Sequence, residues 1–461
     1  MEAAVKKKLL IMGLDCAPPE IVFDRRAELP VLRGLLERGM WGTMRSSDPP
    51  ITIPAWMVMC TGRDPGSLGV YGFRHRTDYS YDKMWIATSQ SIKAPKIWDY
   101  IGQAGGLSCL VSVPPTYPPP RVPGWLVSCF ITPGADKDYT YPPELKEEIE
   151  SRFGPYIFDA VFRTEDRGEI LKKTYEMTDQ RFRVMNHLLR TKPWNLFMFV
   201  EIGVDRMQHT FWKFHDAGHP LHEPGHPYGT AIMDYYRHVD RKLGELLEGT
   251  DGETALLVVS DHGAKMMKGA FCINEWLIDE GYLALKERPA KVTSIEKLAV
   301  DWPRTKAWGW GGYYARIFLN VEGREPGGIV KPQDYERERD ALAEKLRAVR
   351  GPRGEAWRTR VIKPQEHYPE ARGDYPDLMV YFDDLFWRSA GTLGWKSRYL
   401  QENDTGPDDA VHAQEGIYIL VDPATGLKGR KDIDILDVAP TVLRTMGLDV
   451  PAEMRGKPIR P

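Results

Sequence analysis

The chain has 461 residues, of which 42% are hydrophobic, so it is long enough to bury a large core. Its 62 basic and 65 acidic residues give a formal net charge of -3 without a long run of one sign. This balance argues against nucleic acid or an anionic membrane surface as a partner. Five cysteines without a CxxC pair indicate neither a disulfide framework nor a cysteine zinc site.

The N-terminal residues place basic side chains before an apolar run, as a secretory signal does. The run from Leu9 to Leu14 ends at Asp15, however, and is too short for the apolar region of a signal peptide. No apolar stretch of about 18 residues follows, so a membrane span is not expected. We therefore predict a soluble, cytoplasmic protein.

Short apolar runs predict buried strands that carry polar residues at their C-terminal ends. They span residues 9–15, 107–114, 194–205 and 255–262. Helix-like segments lie between them, at residues 30–39, around 175–189 and at 230–249. This alternation predicts an α/β fold with a mostly parallel central sheet and helices on both faces. In such sheets, ligands bind beyond the carboxyl ends of the strands.

The stretch from residue 265 to 409 differs in composition from the rest of the chain, because it is rich in Gly, Pro, Trp and charged residues. We predict a catalytic α/β core formed by residues 1–264 and 410–461, with an inserted cap or lid at 265–409. After this insertion, the sequence predicts a final strand, IYILVDP, and a helix that ends just before Gly447.

The sharpest local signal is VDRMQHTFW, in which Asp205 and His209 lie four residues apart just past a predicted strand. On one turn of a helix, this spacing puts both side chains on the same face, where they can ligate one metal ion. A surface ion pair or a helix cap accounts for the same two residues. The motif alone therefore does not establish a metal site.

Further candidate ligands lie at the edges of other core elements. Asp261 and His262 follow the strand-like run ALLVVS, and a simple turn is the alternative for this pair. Asp15 ends the first apolar run, where a helix cap is the alternative. His412 precedes the last predicted strand, where it could be a hydrogen-bonded loop residue.

Together, these motifs supply three carboxylates and three imidazoles. Zinc and manganese both accept such a mixed set of oxygen and nitrogen ligands. Two metal ions about 4 Å apart can hold the attacking and leaving oxygens of an in-line displacement at phosphorus. The combination therefore predicts a two-metal site for phosphate ester chemistry.

Thr52 is the candidate nucleophile, in the segment SSDPPITIPAWMVMCTGRDPG. It precedes a helix-like run, and a hydroxyl at a helix N-terminus lies among free backbone N–H groups that attract anions. A metal ion there would lower the pKa of the hydroxyl and generate the alkoxide. The same position also suits a plain N-cap, and this segment does not separate the two roles.

Taken in chain order, these motifs resemble those of the alkaline phosphatase superfamily. The likeness is to its type I phosphodiesterase/nucleotide pyrophosphatase branch, and within it to a prokaryotic group of predicted phosphohydrolases or phosphomutases. It covers roughly residues 8–265 and 405–456. It rests on Asp15, on Thr52 with TIPAW and TGRDP, on Asp205 with His209, on Asp261 with His262, and on His412.

The resemblance implies two divalent metal ions, zinc in preference to manganese. One would be held by Asp205, His209 and His412. The other would be held by Asp15, Asp261, His262 and the Thr52 oxygen. Thr52 would be phosphorylated transiently, and the N-terminus of its helix would contribute an N–H group to the phosphoryl oxygens.

One position departs from the nucleotide pyrophosphatase pattern. Those enzymes have an asparagine some twenty residues after the nucleophile, which binds a phosphoryl oxygen, whereas this chain has Phe73. The arginines that follow are suited to clamp a phosphate, although a solvent-facing loop is the alternative. The predicted substrate contacts are Arg74, His75, Arg76, Asn403 and Asp404.

The predicted function is metal-dependent hydrolysis of small-molecule phosphate esters, of the phosphodiesterase or nucleotide pyrophosphatase type. A phosphomutase would use the same metals and nucleophile but return the phosphoryl group to the bound product. A lid that excludes water would favour this alternative. A phosphate-binding module without turnover is more distant, because it leaves Thr52 unexplained. The sequence determines neither the substrate nor the oligomeric state.

Overall fold

The structure is a computed structural model that describes residues 5–460 of the chain. Its helices are α1 Pro30–Arg38, α2 Thr52–Thr61, α3 Pro65–Leu68, α4 Ile97–Gln103, α5 Leu145–Phe153, α6 Arg167–Thr191, α7 Gly203–His215, α8 Ala231–Leu247, α9 Ile273–Asp279, α10 Tyr335–Arg347, α11 Pro364–His367 and α12 Val438–Thr445. None of the helices in this part of the chain has the length and hydropathy that a membrane span needs.

The strands are short and distributed along the whole chain. In order, they are β1 Leu9–Leu14, β2 Met40–Arg45, β3 Arg74–Arg76, β4 Met84–Ile86, β5 Ser108–Val111, β6 Gly124–Val127, β7 Thr140–Tyr141, β8 Leu196–Glu201, β9 Ala255–Val259, β10 Gly263–Met266, β11 Gly269–Cys272, β12 Thr293–Ser294, β13 Ala307–Trp310, β14 Ala315–Leu319, β15 Arg360–Ile362, β16 Leu378–Tyr381, β17 Trp387–Ala390, β18 Thr392–Leu393, β19 Tyr399–Leu400, β20 Ala410–Ala413, β21 Glu415–Val421, β22 Gly429–Arg430 and β23 Ile433–Asp434.

The central sheet has the strand order β22-β2-β21-β9-β1-β8-β5-β6-β7, with β23 also paired to β2. Its middle is parallel, because β1 pairs in parallel with β8 and β9, and β5 pairs in parallel with β8 and β6. The final strand of the sequence analysis, β21, enters antiparallel between β9 and β2. The predicted α/β fold with a mostly parallel sheet is confirmed.

Alternate residues of β1 face two different cores, as the two-residue period of a strand requires. Leu10 and Met12 pack into a cluster with buried residues of α1, α6, α7 and α8. Leu9 and Ile11 pack into a second cluster with residues of α2, α4 and α12. Helices therefore cover both faces of the sheet, and every residue of β1 is buried.

Much of residues 265–409 folds around a hydrophobic cluster of its own. It contains a four-stranded sheet of order β13-β14-β16-β15, with α9 and α10 packed beside it. The two ends of the segment lie side by side, because β10 pairs antiparallel with β20 in a separate two-stranded sheet. This pairing brings the end of the segment back to the carboxyl edge of β9.

Candidate active site

The three candidate carboxylates lie at the carboxyl ends of three neighbouring parallel strands. Asp15 follows β1, Asp205 lies in the first turn of α7 after β8, and Asp261 follows β9. Each of them is almost fully buried, with an exposed fraction of 3% or less. The parallel register thus gathers residues that are far apart in the chain.

Asp205, His209 and His412 form the first group of potential ligands. A carboxylate oxygen of Asp205 lies 3.2 Å from Nε2 of His209 and 3.9 Å from Nε2 of His412. The predicted helical turn is confirmed, since Asp205 and His209 both lie on α7. The Cys16 thiol belongs to this group as well, with all four ligand atoms within 4.8 Å of one another. Sequence reasoning missed Cys16 because no CxxC or CxxH spacing marks it.

Asp15, Asp261 and His262 form the second group. Nε2 of His262 lies 3.1 Å from Asp261 Oδ2 and 3.9 Å from Asp15 Oδ1. Within the described residues, both of these oxygens are buried and lack a hydrogen-bond partner. Burial and the neighbouring carboxylates raise the pKa of Asp15 and of Asp261. Orphaned buried oxygens beside an imidazole fit a bound divalent cation, which would offset their mutual repulsion.

Thr52 lies beside the second group. Its hydroxyl is 3.4 Å from Nε2 of His262, and the side chain is buried. Helix α2 begins at Thr52, whereas Ile51 is the N-cap residue and no side chain caps the helix. The plain N-cap alternative is therefore wrong. The hydroxyl is held at the first turn of a helix, where free N–H groups favour an anion.

His412 lies on β20, opposite Ala264 of β10, and not in a loop. Its Nδ1 atom donates a hydrogen bond to the Pro50 carbonyl at 2.7 Å, which leaves Nε2 to face Asp205. The imidazole stacks on His262, with ring centroids 3.8 Å apart. His412 thus lies between the two ligand groups.

Two further side chains orient the candidate ligands. Nδ1 of His209 donates to Asp408 Oδ1 at 2.7 Å, and Trp56 Nε1 donates to Asp15 Oδ2 at 2.7 Å. Although burial by itself would raise it, the positive charges of His209 and Arg388 lower the pKa of Asp408 to about 2. Sequence analysis missed both orienting residues, because hydrogen bonds between residues 41 and 199 positions apart leave no local pattern.

A cavity of about 520 Å³ opens onto this cluster. Thr52, Asp205 and His412 line it from the core. Residues of the 265–409 segment line the other side, namely Trp310, Tyr313, Tyr314, Arg316 and Arg388 among others. Among them, Tyr313 contacts a candidate ligand, because its ring stacks on His412 with centroids 3.7 Å apart.

The sequence model of the type I phosphodiesterase/nucleotide pyrophosphatase family matches residues 9–408. This chain belongs to that family. Its members are phosphoester hydrolases, and this chain is a phosphoester hydrolase. The family generally uses two divalent metal ions, and the two buried ligand groups of this member provide candidate positions for them. No protein in the curated collections matches the sequence significantly.

Solved structures share the fold of this phosphodiesterase family member at low sequence identity. An inactive threonine-to-alanine variant of murine ectonucleotide pyrophosphatase/phosphodiesterase 5, in complex with AMP, has 16% identity and a TM-score of 0.53, over 97% of this chain and 96% of that one. The human protein of the same name has 13% identity and a TM-score of 0.58, over 98% and 97%. Phosphonoacetate hydrolase from Sinorhizobium meliloti, in complex with phosphonoformate, has 15% identity and a TM-score of 0.59, over 96% and 97%.

Two of the predicted substrate contacts of this phosphodiesterase family member line the cavity. They are Arg74 and Asp404. Phe73 also lines it, at the position where the nucleotide pyrophosphatase pattern has asparagine. Arg74 is exposed, and it forms no ion pair among residues 5–460.

The other predicted substrate contacts do not line the cavity and have structural roles. Arg76 is buried in an ion pair with Glu325 at 2.9 Å. His75 is buried and its Nε2 accepts the backbone N–H of Tyr71 at 2.8 Å, while burial lowers its pKa to about 3. Asn403 donates to atoms of its own loop. These three side chains are engaged by protein groups away from the cavity. Along β3, Arg74 is exposed, whereas His75 and Arg76 are buried.

Proposed function

We propose that this chain hydrolyses small-molecule phosphate esters, of the phosphodiester or nucleotide pyrophosphate type, through a phospho-threonine intermediate at Thr52. The observation that carries the proposal is the position of the Thr52 hydroxyl, 3.4 Å from His262 in a buried cluster of carboxylates and imidazoles. If Thr52 only filled space in the core, buried carboxylates and imidazoles beside its hydroxyl would not be needed.

The ligand groups support two divalent metal ions, zinc in preference to manganese. Asp205, His209 and His412 would hold one, and Asp15, Asp261, His262 and the Thr52 oxygen would hold the other. When bound, the metals would lower the pKa of the hydroxyl and stabilise negative charge on the phosphoryl oxygens. The imidazoles favour zinc, whereas the three carboxylates are also compatible with manganese.

In the first half-reaction, the Thr52 oxygen forms a bond to phosphorus while the bond from phosphorus to the leaving oxygen breaks. The Thr52 hydroxyl proton passes to solvent water, and the departing oxygen takes up a proton from solvent. In the second half-reaction, a water oxygen attacks phosphorus and gives one proton to solvent, while the bond to Thr52 breaks and the Thr52 oxygen takes up a proton. Free N–H groups at the start of α2 face the phosphoryl oxygens in both steps.

The cavity supports a substrate with a second anionic group. Most of its arginines are paired, since Arg163 and Arg388 bind Asp408, and Arg206 binds Asp159. Arg74 and Arg316 are different, because neither guanidinium forms an ion pair in the described chain; Nη1 of Arg316 donates to the Arg74 carbonyl oxygen. Two guanidinium groups without a carboxylate partner in one cavity favour an anion over a neutral group.

Residues 265–409 would act as the cap over this site. Tyr313 and Arg388 of the segment line the cavity beside His412. A cover that excludes water also suits a phosphomutase, in which the phosphoryl group returns to the bound product. We keep this as the second candidate function. A cytoplasmic location is part of the proposal, since all five cysteines are buried and unpaired.

The test compares Thr52→Ala and Thr52→Ser with the unaltered chain on bis-p-nitrophenyl phosphate and p-nitrophenyl phosphate. Thr52→Ala should abolish turnover while the metal content stays near two ions per chain, and Thr52→Ser should retain part of the rate. If Thr52→Ala kept more than a few per cent of the original rate, Thr52 could not be the nucleophile. A mutase would release little free phosphate and would isomerise a phosphorylated substrate instead.

A further inference from the structure

Cys16 occupies an unusual place, directly after Asp15 at the carboxyl end of β1. It is fully buried, and its backbone has φ of 62°, in the left-handed region. The Cys16 backbone N–H donates to Asp261 Oδ1 at 3.2 Å. Its thiol lies within 4.8 Å of ligand atoms of Asp205, His209 and His412.

We propose that the Cys16 thiolate is the fourth protein ligand of the metal ion held by Asp205, His209 and His412, and that this position is a zinc site. The inference rests on the two-metal site proposed above. The four ligand atoms, Sγ, a carboxylate oxygen and two imidazole nitrogens, lie within 4.8 Å of one another, and all four residues are buried.

The ligand chemistry separates the two metal positions. Asp15, Asp261 and His262 offer mainly oxygen, which suits zinc, manganese or magnesium. The group with Cys16 offers one sulfur, one oxygen and two nitrogens, and a phosphoryl oxygen would then bind as a fifth ligand, a coordination number that catalytic zinc reaches. Thiolate is a soft ligand that manganese and magnesium bind poorly. Cys16 therefore makes the first position selective for zinc, a choice that the carboxylates and imidazoles leave open.

The proton of the Cys16 thiol is accounted for when the thiol binds zinc. The thiol gives its proton to solvent as the bond from sulfur to zinc forms, so that binding is accompanied by proton release. The thiol donates a hydrogen bond to the Gly263 carbonyl at 3.4 Å. A thiol is a weak donor, and binding of zinc would replace this contact.

The alternative is that Cys16 only fills space in the core, as a small buried residue does. Cys60 provides the comparison, because it is equally buried but belongs to neither ligand group in the described residues. Thr52 lies on the same helix as Cys60. Replacement of Cys60 by serine thus controls for the loss of a buried thiol close to the site.

The experiment is X-ray absorption at the zinc edge on protein loaded with two zinc ions, for the unaltered chain, Cys16→Ser and Cys60→Ser. The spectra of the unaltered chain and of Cys60→Ser should both be fitted with a zinc–sulfur distance of about 2.3 Å, at about 0.5 sulfur per zinc. Cys16→Ser should be fitted by oxygen and nitrogen alone. Cobalt-loaded protein should show a sulfur-to-cobalt charge-transfer band that only Cys16→Ser lacks.

The measurement on the unaltered chain does not depend on any variant folding. If the spectrum of the unaltered chain at full zinc occupancy is fitted by oxygen and nitrogen alone, Cys16 is not a ligand. The two-metal site itself would still stand. Sulfur that persists in Cys16→Ser also overturns the assignment. If the unaltered chain binds no zinc at all, the proposed metal site and the role of Cys16 fall together.

Discussion

The Asp408 carboxylate accepts a hydrogen bond from Nδ1 of His209 at 2.7 Å, and both side chains are buried. The bond occupies one ring nitrogen and leaves Nε2 to face Asp205. A carboxylate in this position fixes the orientation and the tautomer of a metal-binding imidazole. Asp408 belongs to the far end of the chain, 199 residues from His209.

Asp408→Asn should therefore weaken metal binding at the first position by about 10- to 100-fold, because the amide holds the imidazole less firmly. Chelator competition measures the affinity. Asp409→Asn is the matched control, since its carboxylate pairs with Arg167 and touches no candidate ligand. If the unaltered chain and Asp408→Asn bound the metal with equal affinity, Asp408 would not be orienting His209.

Arg316→Ala should reduce kcat/KM for a phosphate ester whose leaving group carries a carboxylate or a second phosphate. A charge-assisted hydrogen bond of about 1.5–3 kcal/mol corresponds to a loss of roughly 10- to 100-fold. The rate on p-nitrophenyl phosphate, whose leaving group is uncharged, should change little. Arg304→Ala, at an exposed position, is the control. Equal losses on both substrates would place Arg316 at the transferred phosphoryl group instead.

Asp48 connects the loop before Thr52 to the 265–409 segment, and its stability contribution should depend on pH. Burial alone would raise its pKa, but His367, Arg45 and Arg360 lower it to about 2. A carboxyl whose pKa is lower in the folded than in the unfolded state stabilises the fold above pH 4, and this contribution is lost as pH falls from about 4 to about 2.

Asp48→Asn should consequently lower the free energy of unfolding by about 2 kcal/mol at pH 7. Urea unfolding at pH 7, 5, 4 and 3 measures the difference from the unaltered chain. The difference should be constant from pH 7 to pH 5 and shrink towards pH 3. A difference that does not vary with pH would show that packing, and not ionisation, is what the substitution removes.

Gly13→Ala should destabilise the sheet beneath the site. A Cβ atom at Gly13 would lie 2.5 Å from the Trp56 ring and 2.8 Å from the Phe199 carbonyl oxygen. Overpacking of this kind typically costs about 1–3 kcal/mol. Gly34→Ala on α1 has no atom within 4 Å and should instead stabilise by a few tenths to about 1 kcal/mol. Thermal unfolding of both variants should show shifts of opposite sign.

The sequence by itself determined the fold class and the strands that carry the site. Hydrophobic runs and turn residues are local signals, and they located β1, β8 and β9 together with the polar residues at their ends. The four-residue spacing of Asp205 and His209 is likewise local, because one helical turn sets it. The family resemblance supplied the expected division of the ligands, which short motifs in the correct order made recognisable.

Only the tertiary structure decided which residues meet. Cys16, Trp56 and Asp408 have no local pattern, and they lie beside the candidate ligands only because elements distant in sequence pack together. The structure also separated Arg74, which lines the cavity, from Arg76, which is buried against Glu325. The physical reason is that a side chain's neighbours depend on strand register and on packing between elements, which no short stretch of sequence specifies.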